Sequence, residues 1–95
     1  MFVRLTSLSF FHDSIEEARK IFSKEIGPIV KKQRGNLNFM FLEPTDVSDD
    51  FIALTTWASI VDAHEYERSG LYKELLDKAK HTFSSIPVLR SYQAK

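Results

Sequence analysis

The chain contains no cysteine. That excludes a disulfide framework, a thiolate nucleophile and any cysteine-ligated zinc or iron–sulfur centre, and it suits a reducing cytoplasm. Net charge is absent too, because 13 Lys and Arg stand against 13 Asp and Glu. Such a balance nominates neither nucleic acid nor an anionic membrane as a partner. No apolar run is long enough to span a bilayer, and the opening M-F-V-R-L-T-S-L-S-F lacks the basic and continuous apolar regions of a signal peptide. With three glycines in all, phosphate-cradling loops have little material; no G-x-S-x-G, P-loop or G-x-G-x-x-G run occurs. Hydrolase and nucleotide-binding readings fall away.

What is present is globular. Hydrophobic residues make up 43% of the 95, among them eight Phe, three Tyr and one Trp. Residues 1–95 are expected to form one domain around one core, and a chain this short gains from burying further surface by self-association.

Phe2 to Phe10 is β-branched and aromatic with imperfect alternation, which predicts a first strand. S-I-E-E at Ser14 to Glu17 has the capping-box spacing and predicts a helix start. Ile15, Ala18, Ile21, Phe22, Ile26, Ile29 and Val30 then recur at three- and four-residue steps as one apolar stripe. Gly27-Pro28 should bend or interrupt this helix, and Gly35 should end it before Asn36. Leu37 to Glu43 and Phe51 to Ala58 read as two strands apolar on both faces, Leu37, Phe39 and Phe41 sharing one face of the first. Ser59 with Asp62 opens another helix, Ser69-Gly70 breaks it, and Leu71, Tyr72, Leu75, Leu76, Ala79 and Phe83 form the stripe of the last helix, ended by Pro87. Val88 to Gln93 is a short final strand.

The order β-α-β-β-α-β is the ferredoxin-like, split βαβ plan of an α+β domain: a four-stranded antiparallel sheet with helices on one face. Two strands apolar on both faces need cover on the other side, and the economical cover is a second copy of the chain. Two sheets face to face would form a homodimeric α+β barrel.

Side-chain chemistry concentrates in W-A-S-I-V-D-A-H-E-Y-E-R-S-G-L-Y, from Trp57 to Tyr72. His64 is the natural proton acceptor, since an ordinary imidazole titrates near pH 6.5. Tyr66 and Tyr72 can hydrogen-bond a substrate oxygen, Trp57 can stack on a ring, and Arg4 or Arg90 can stabilise a phenolate. Each has a plainer reading beside it: Trp57, Tyr66 and Tyr72 as packed core, Ser59 as a helix cap, His64 as a solvated helix residue. His12 and His81 read as surface residues, and the His81 and Asp77 pair supplies only two of the ligands a metal needs.

W-x-S, then A-H, then S-x-x-Y, carried here by Trp57, Ser59, Ala63, His64, Ser69 and Tyr72, resembles the pattern of antibiotic biosynthesis monooxygenase domains. Gly35-Asn36-Leu37 is similar to that family's start of strand two. The resemblance implies a dimeric α+β barrel with a pocket in each subunit between sheet and helices. It also implies cofactor-independent oxygenation of a small phenolic or quinol-like aromatic substrate, with no metal. The haem-degrading monooxygenases share the fold and a similar W-x-S run. In their register, however, Tyr66 stands where they have tryptophan, Leu76 where they have the iron-ligating histidine, and Thr6 and Ser7 where they have an asparagine. Leu71 also replaces a histidine frequent in the quinol-oxidising group. A non-catalytic dimer that binds a small apolar molecule, or acts as an interaction module, is the alternative from another class.

Overall fold

The computed structural model describes residues 1–95. Strands β1 (Phe2–Leu8), β2 (Asn36–Leu42), β3 (Phe51–Trp57) and β4 (Val88–Gln93) form one sheet in the order β2-β3-β1-β4. Every neighbouring pair is antiparallel. Helices α1 (Ile15–Lys20), α2 (Gly27–Lys31), α3 (Ile60–Arg68) and α4 (Leu71–Ala79) fill the two crossovers, so the α+β, ferredoxin-like order expected from periodicity is the observed one. No helix is long and apolar enough to cross a membrane.

The register sorts the side chains, because alternate residues of a strand face opposite sides. Phe2, Arg4, Thr6 and Leu8 pair with Trp57, Thr55, Ala53 and Phe51. This set faces the helices: Phe2, Thr6, Leu8, Ala53 and Trp57 are all buried. Val3, Leu5, Ile52, Leu54, Met40, Leu42, Val88 and Tyr92 take the intervening positions and form the other face. Nothing in the monomer covers it, and Met40, Val88 and Tyr92 are exposed. A β-bulge between Asn36 and Asn38 takes Leu37 out of its expected alternation with Phe39 and Phe41 and leaves it exposed.

The stripe expected on the first helix is the buried one: Ala18, Ile21, Phe22, Ile26 and Val30 all enter the core. Its winding differs from a simple bend. Ile21–Ile26 is a π-helix, and the Gly27 amide bonds the Phe22 carbonyl five residues back. Pro28 has no amide to donate and its ring crowds the carbonyl four residues before it, so the wider turn spreads the chain where a regular helix would clash. Gly27 lets this turn approach the sheet, since a Cβ there would lie 3.0 Å from the Phe39 ring. The capping box at Ser14 does not form. His12–Ser14 already winds as a 3-10 turn, so Ser14 lacks the extended backbone a cap requires. Glu17 reaches His81 at 2.9 Å instead, and Asp77 pairs with Lys73 rather than His81.

Phe10 lies beyond β1, bridged to Phe83, which itself follows the end of α4. Its ring lies 5.0 Å from Phe51, and Phe22 stacks on Phe41 at 4.9 Å. This aromatic cluster anchors one part of the core; Trp57, at the far end of β3, anchors the other.

Candidate functional site

Ser59 caps α3 as its sequence predicts, accepting the Asp62 amide at 3.2 Å. The cap fixes the phase of the helix. Ala63, Tyr66 and Glu67, at i, i+3 and i+4, therefore share the inward face. Gly70, left-handed at φ +86°, redirects the chain into α4, whose Tyr72, Leu75 and Leu76 repeat the same spacing. These two helix faces close over Arg4 and Thr6 of β1, Ala53, Thr55 and Trp57 of β3, Phe39 of β2 and Leu89 of β4. Phe22 and Ile26 of the π-turn and Val30 of α2 complete a cavity that is apolar on most of its wall. Its volume is about 30 Å3.

Trp57 is fully buried, donates its indole N–H to Thr55 Oγ1 at 2.9 Å and stacks on Tyr66 with centroids 5.2 Å apart. Tyr66 meets Tyr72 edge-on at 5.9 Å, and the Tyr72 hydroxyl lies 3.3 Å from Thr6 Oγ1. Burial pushes the Tyr66 hydroxyl well above the ordinary phenol range, with Tyr72 and Glu67 adding to the rise. Burial raises Tyr72 too, opposed by its bond to Thr6. Both phenols are therefore neutral near pH 7 and can donate a hydrogen bond into the cavity.

Arg4 is the anomaly of β1, a cation at a core-facing position. Burying it demands a partner. Glu67 supplies one: Arg4 Nη2 lies 2.6 Å from its carboxylate, with side-chain exposures of 11% and 25%. The guanidinium also sits 5.1 Å from the centroid of the Phe2 ring. Its Nε is buried with no hydrogen-bond partner.

Trp57, Tyr66, Tyr72 and Arg4 are thus brought together on one cavity wall. His64 is not. It follows Ala63 by one residue, about 100° further round the helix, so its exposed ring packs edge-on at 6.5 Å from Phe2, outside the cavity. Arg90 is also elsewhere: it pairs with Leu5 in register, and that parity puts it on the face away from the helices. Glu67, which the sequence reading passed over, lies on the wall. Its signal was the i, i+3, i+4 set with Ala63 and Tyr66, joined to an Arg among the inward residues of β1.

The family model for antibiotic biosynthesis monooxygenases matches residues 1–78. No curated protein matches the chain. Among solved structures, a proposed antibiotic biosynthesis monooxygenase from Nitrosomonas europaea is similar, with a TM-score of 0.83 at 17% identity, covering 99% of this chain and 98% of that one. Another, from Bordetella bronchiseptica, has a TM-score of 0.85 at 10% identity, covering 99% and 96%. The haem-degrader MhuD of Mycobacterium tuberculosis, solved with two haems in its active site, has a TM-score of 0.76 at 16% identity, covering 99% and 95%. At these identities the likeness is one of fold.

Proposed function

Because the chain belongs to the antibiotic biosynthesis monooxygenase family, we propose that it oxidises a small phenolic or quinol-like molecule with dioxygen, without metal or organic cofactor, in the cavity between sheet and helices. The observation that carries this reading is the wall itself: apolar and aromatic, with one half-buried ion pair, Arg4 and Glu67. Deprotonating a phenol gives an electron-rich anion that can react with dioxygen, so the substrate supplies the electrons and the protein supplies enclosure, orientation and charge. Trp57 and Tyr66 offer ring faces, Tyr72 a hydroxyl donor, and Arg4 a cation for the phenolate.

A space of about 30 Å3 holds water but no aromatic ring; a cavity of roughly 150 Å3 is what benzene occupies. The substrate must therefore displace side chains. Tyr66 is the wall residue shared with an outer cleft lined by Gln33, Arg34, Asp62, Glu65 and Ser69. It is the gate in this reading, and the α3 to α4 break at Gly70 is where the two helices part.

The apolar outer sheet face supports assembly as a homodimer, and the absence of cysteine suits the cytoplasm. Haem does not fit this wall. It carries no histidine, and Leu76 stands on it where the haem-degrading pattern has the iron ligand.

Oxygen uptake and substrate loss across a panel of hydroquinones and anthrone-like phenols, in air and anaerobically, test the proposal. Uptake matched to substrate loss is expected in air, with none under argon. Binding without turnover of any substrate would replace the enzyme by a ligand-binding module. His64→Ala is expected to keep its turnover, since His64 lies outside the cavity; a loss of about a hundredfold or more would restore it as the proton acceptor.

A further inference from the structure

We propose that Glu67 is the group that takes the proton from the substrate hydroxyl, and that Arg4, held on Glu67 through Nη2, receives the resulting oxyanion on Nε. This rests on the reading of the cavity as a site for a phenolic substrate.

Two observations carry it. Glu67 is the one carboxylate on the cavity wall, which holds no histidine. Arg4 has an unused donor: Nη2 lies 2.6 Å from the carboxylate while Nε is buried and unpartnered. A buried N–H without an acceptor costs free energy that a bound oxygen would recover. Arg4 thus has a donor left over beyond the one that Glu67 occupies.

The step is a charge exchange. The substrate O–H bond breaks, an O–H bond forms on Glu67, and the electron pair stays on the substrate oxygen. One negative charge moves from Glu67 to the phenolate, Arg4 stays positive, and nothing is oxidised or reduced. The net charge inside the apolar wall is unchanged, so no bare ion is created in a low dielectric. The other groups facing Glu67 leave this exchange undisturbed. Tyr66 on α3 and Tyr72 on α4 are neutral, Thr6 of β1 cannot ionise in this range, and β4 contributes Leu89.

Glu67→Gln separates this from a structural role. Gln is isosteric and its Oε1 still accepts from Arg4, but it cannot take a proton. With a turned-over hydroquinone, the variant is expected to lose about a hundredfold in rate at pH 6 and to recover about tenfold per pH unit as the substrate ionises in solution. A purely structural defect gives a ratio to wild type that does not change with pH, and that result would overturn the proposal. Glu67→Asp, which keeps a base, should retain the wild-type pH profile at lower rate; if Glu67→Gln does not fold, Glu67→Ala, which also cannot take a proton, is carried through the same pH series with the same two outcomes.

A second arm needs no oxygen chemistry. At a pH low enough that free 4-nitrophenol is the neutral phenol, this ligand, whose absorbance reports ionisation, should bind wild type as the phenolate with no net proton release, the proton passing to Glu67. Glu67→Gln should bind it as the phenolate and release one proton per molecule bound. That pair of results supports the proposal even if no quinol consumes oxygen, an outcome that would refute only the monooxygenase reading. Proton release by wild type equal to that of Glu67→Gln, or no binding by wild type, overturns the role of Glu67 whatever the oxygen electrode shows.

Discussion

Replacing Trp57 by Ala should be among the most destabilising single changes in this protein. The indole is fully buried, stacks on Tyr66 at 5.2 Å and donates a hydrogen bond of 2.9 Å to Thr55. Truncating a buried Trp costs about 3–5 kcal/mol, within which the lost N–H bond accounts for about 1 and the aromatic pair for about 0.5–1.5. A domain of this length has about 5–14 kcal/mol in all, so roughly a fifth or more of the stability would go. At about 4–8 °C per kcal/mol, a loss of about 4 kcal/mol lowers the melting temperature by about 16–32 °C. Urea unfolding followed by far-UV circular dichroism gives the free energy directly, with wild type and variant at one protomer concentration because self-association would shift both. Trp57→Phe keeps a ring but loses the donor, and should cost about 1–3 kcal/mol. If Trp57→Ala lies within about 1 kcal/mol of wild type, Trp57 is not the anchor of the cavity wall and the packing argument fails.

Two further outcomes follow from local geometry and burial. Gly35 has φ +79° and a Cβ there would run into the Asp62 side chain, whereas Gly70, at φ +86°, has nothing within 4 Å. Gly70→Ala should therefore cost only the left-handed penalty of about 1–2 kcal/mol, and Gly35→Ala clearly more, as read from urea midpoints. The raised Tyr66 and Tyr72 hydroxyls make a prediction for alkaline pH. The unfolded chain loses these protons first, at about pH 10, so the stabilisation they provide is full below that pH and declines as pH rises above it. The decline should be shallower in Tyr66→Phe and shallower again in Tyr66→Phe/Tyr72→Phe; an identical alkaline slope in all three would refute the burial of these phenols.

The fold was legible because its signals are local and periodic. The stripe from Ala18 to Val30, the Ser59 cap and the break at Gly70 are each set by residues within a turn or two of one another. Strands apolar on both faces came through for the same reason. Ser14 misled because a cap depends on the backbone entering it, and the 3-10 turn at His12–Ser14 is not written in the S-x-x-E spacing. The π-turn at Ile21–Ile26 balances a missing amide at Pro28 against packing on Phe39, and the second partner is distant in sequence. Of the site, Trp57, Tyr66 and Tyr72 were readable as a cluster on one handover from strand to helix. His64 drew attention by its chemistry, but one residue of helix phase turns it outward. Glu67 becomes conspicuous only when β1 brings Arg4 across 63 positions of chain to meet it.

A phenolic substrate bound in the cavity lies against the Trp57, Tyr66 and Arg4 wall in the proposed reading. Trp57 is the single tryptophan, so its emission reports on that wall alone. Titrating wild type with a hydroquinone under argon should change the Trp57 emission saturably, and the change should disappear in Leu76→Trp/Trp57→Phe, where the indole is moved across the cavity and fills it. Turnover of the same hydroquinone in air with no change in Trp57 emission at saturating concentration would place the chemistry outside this cavity.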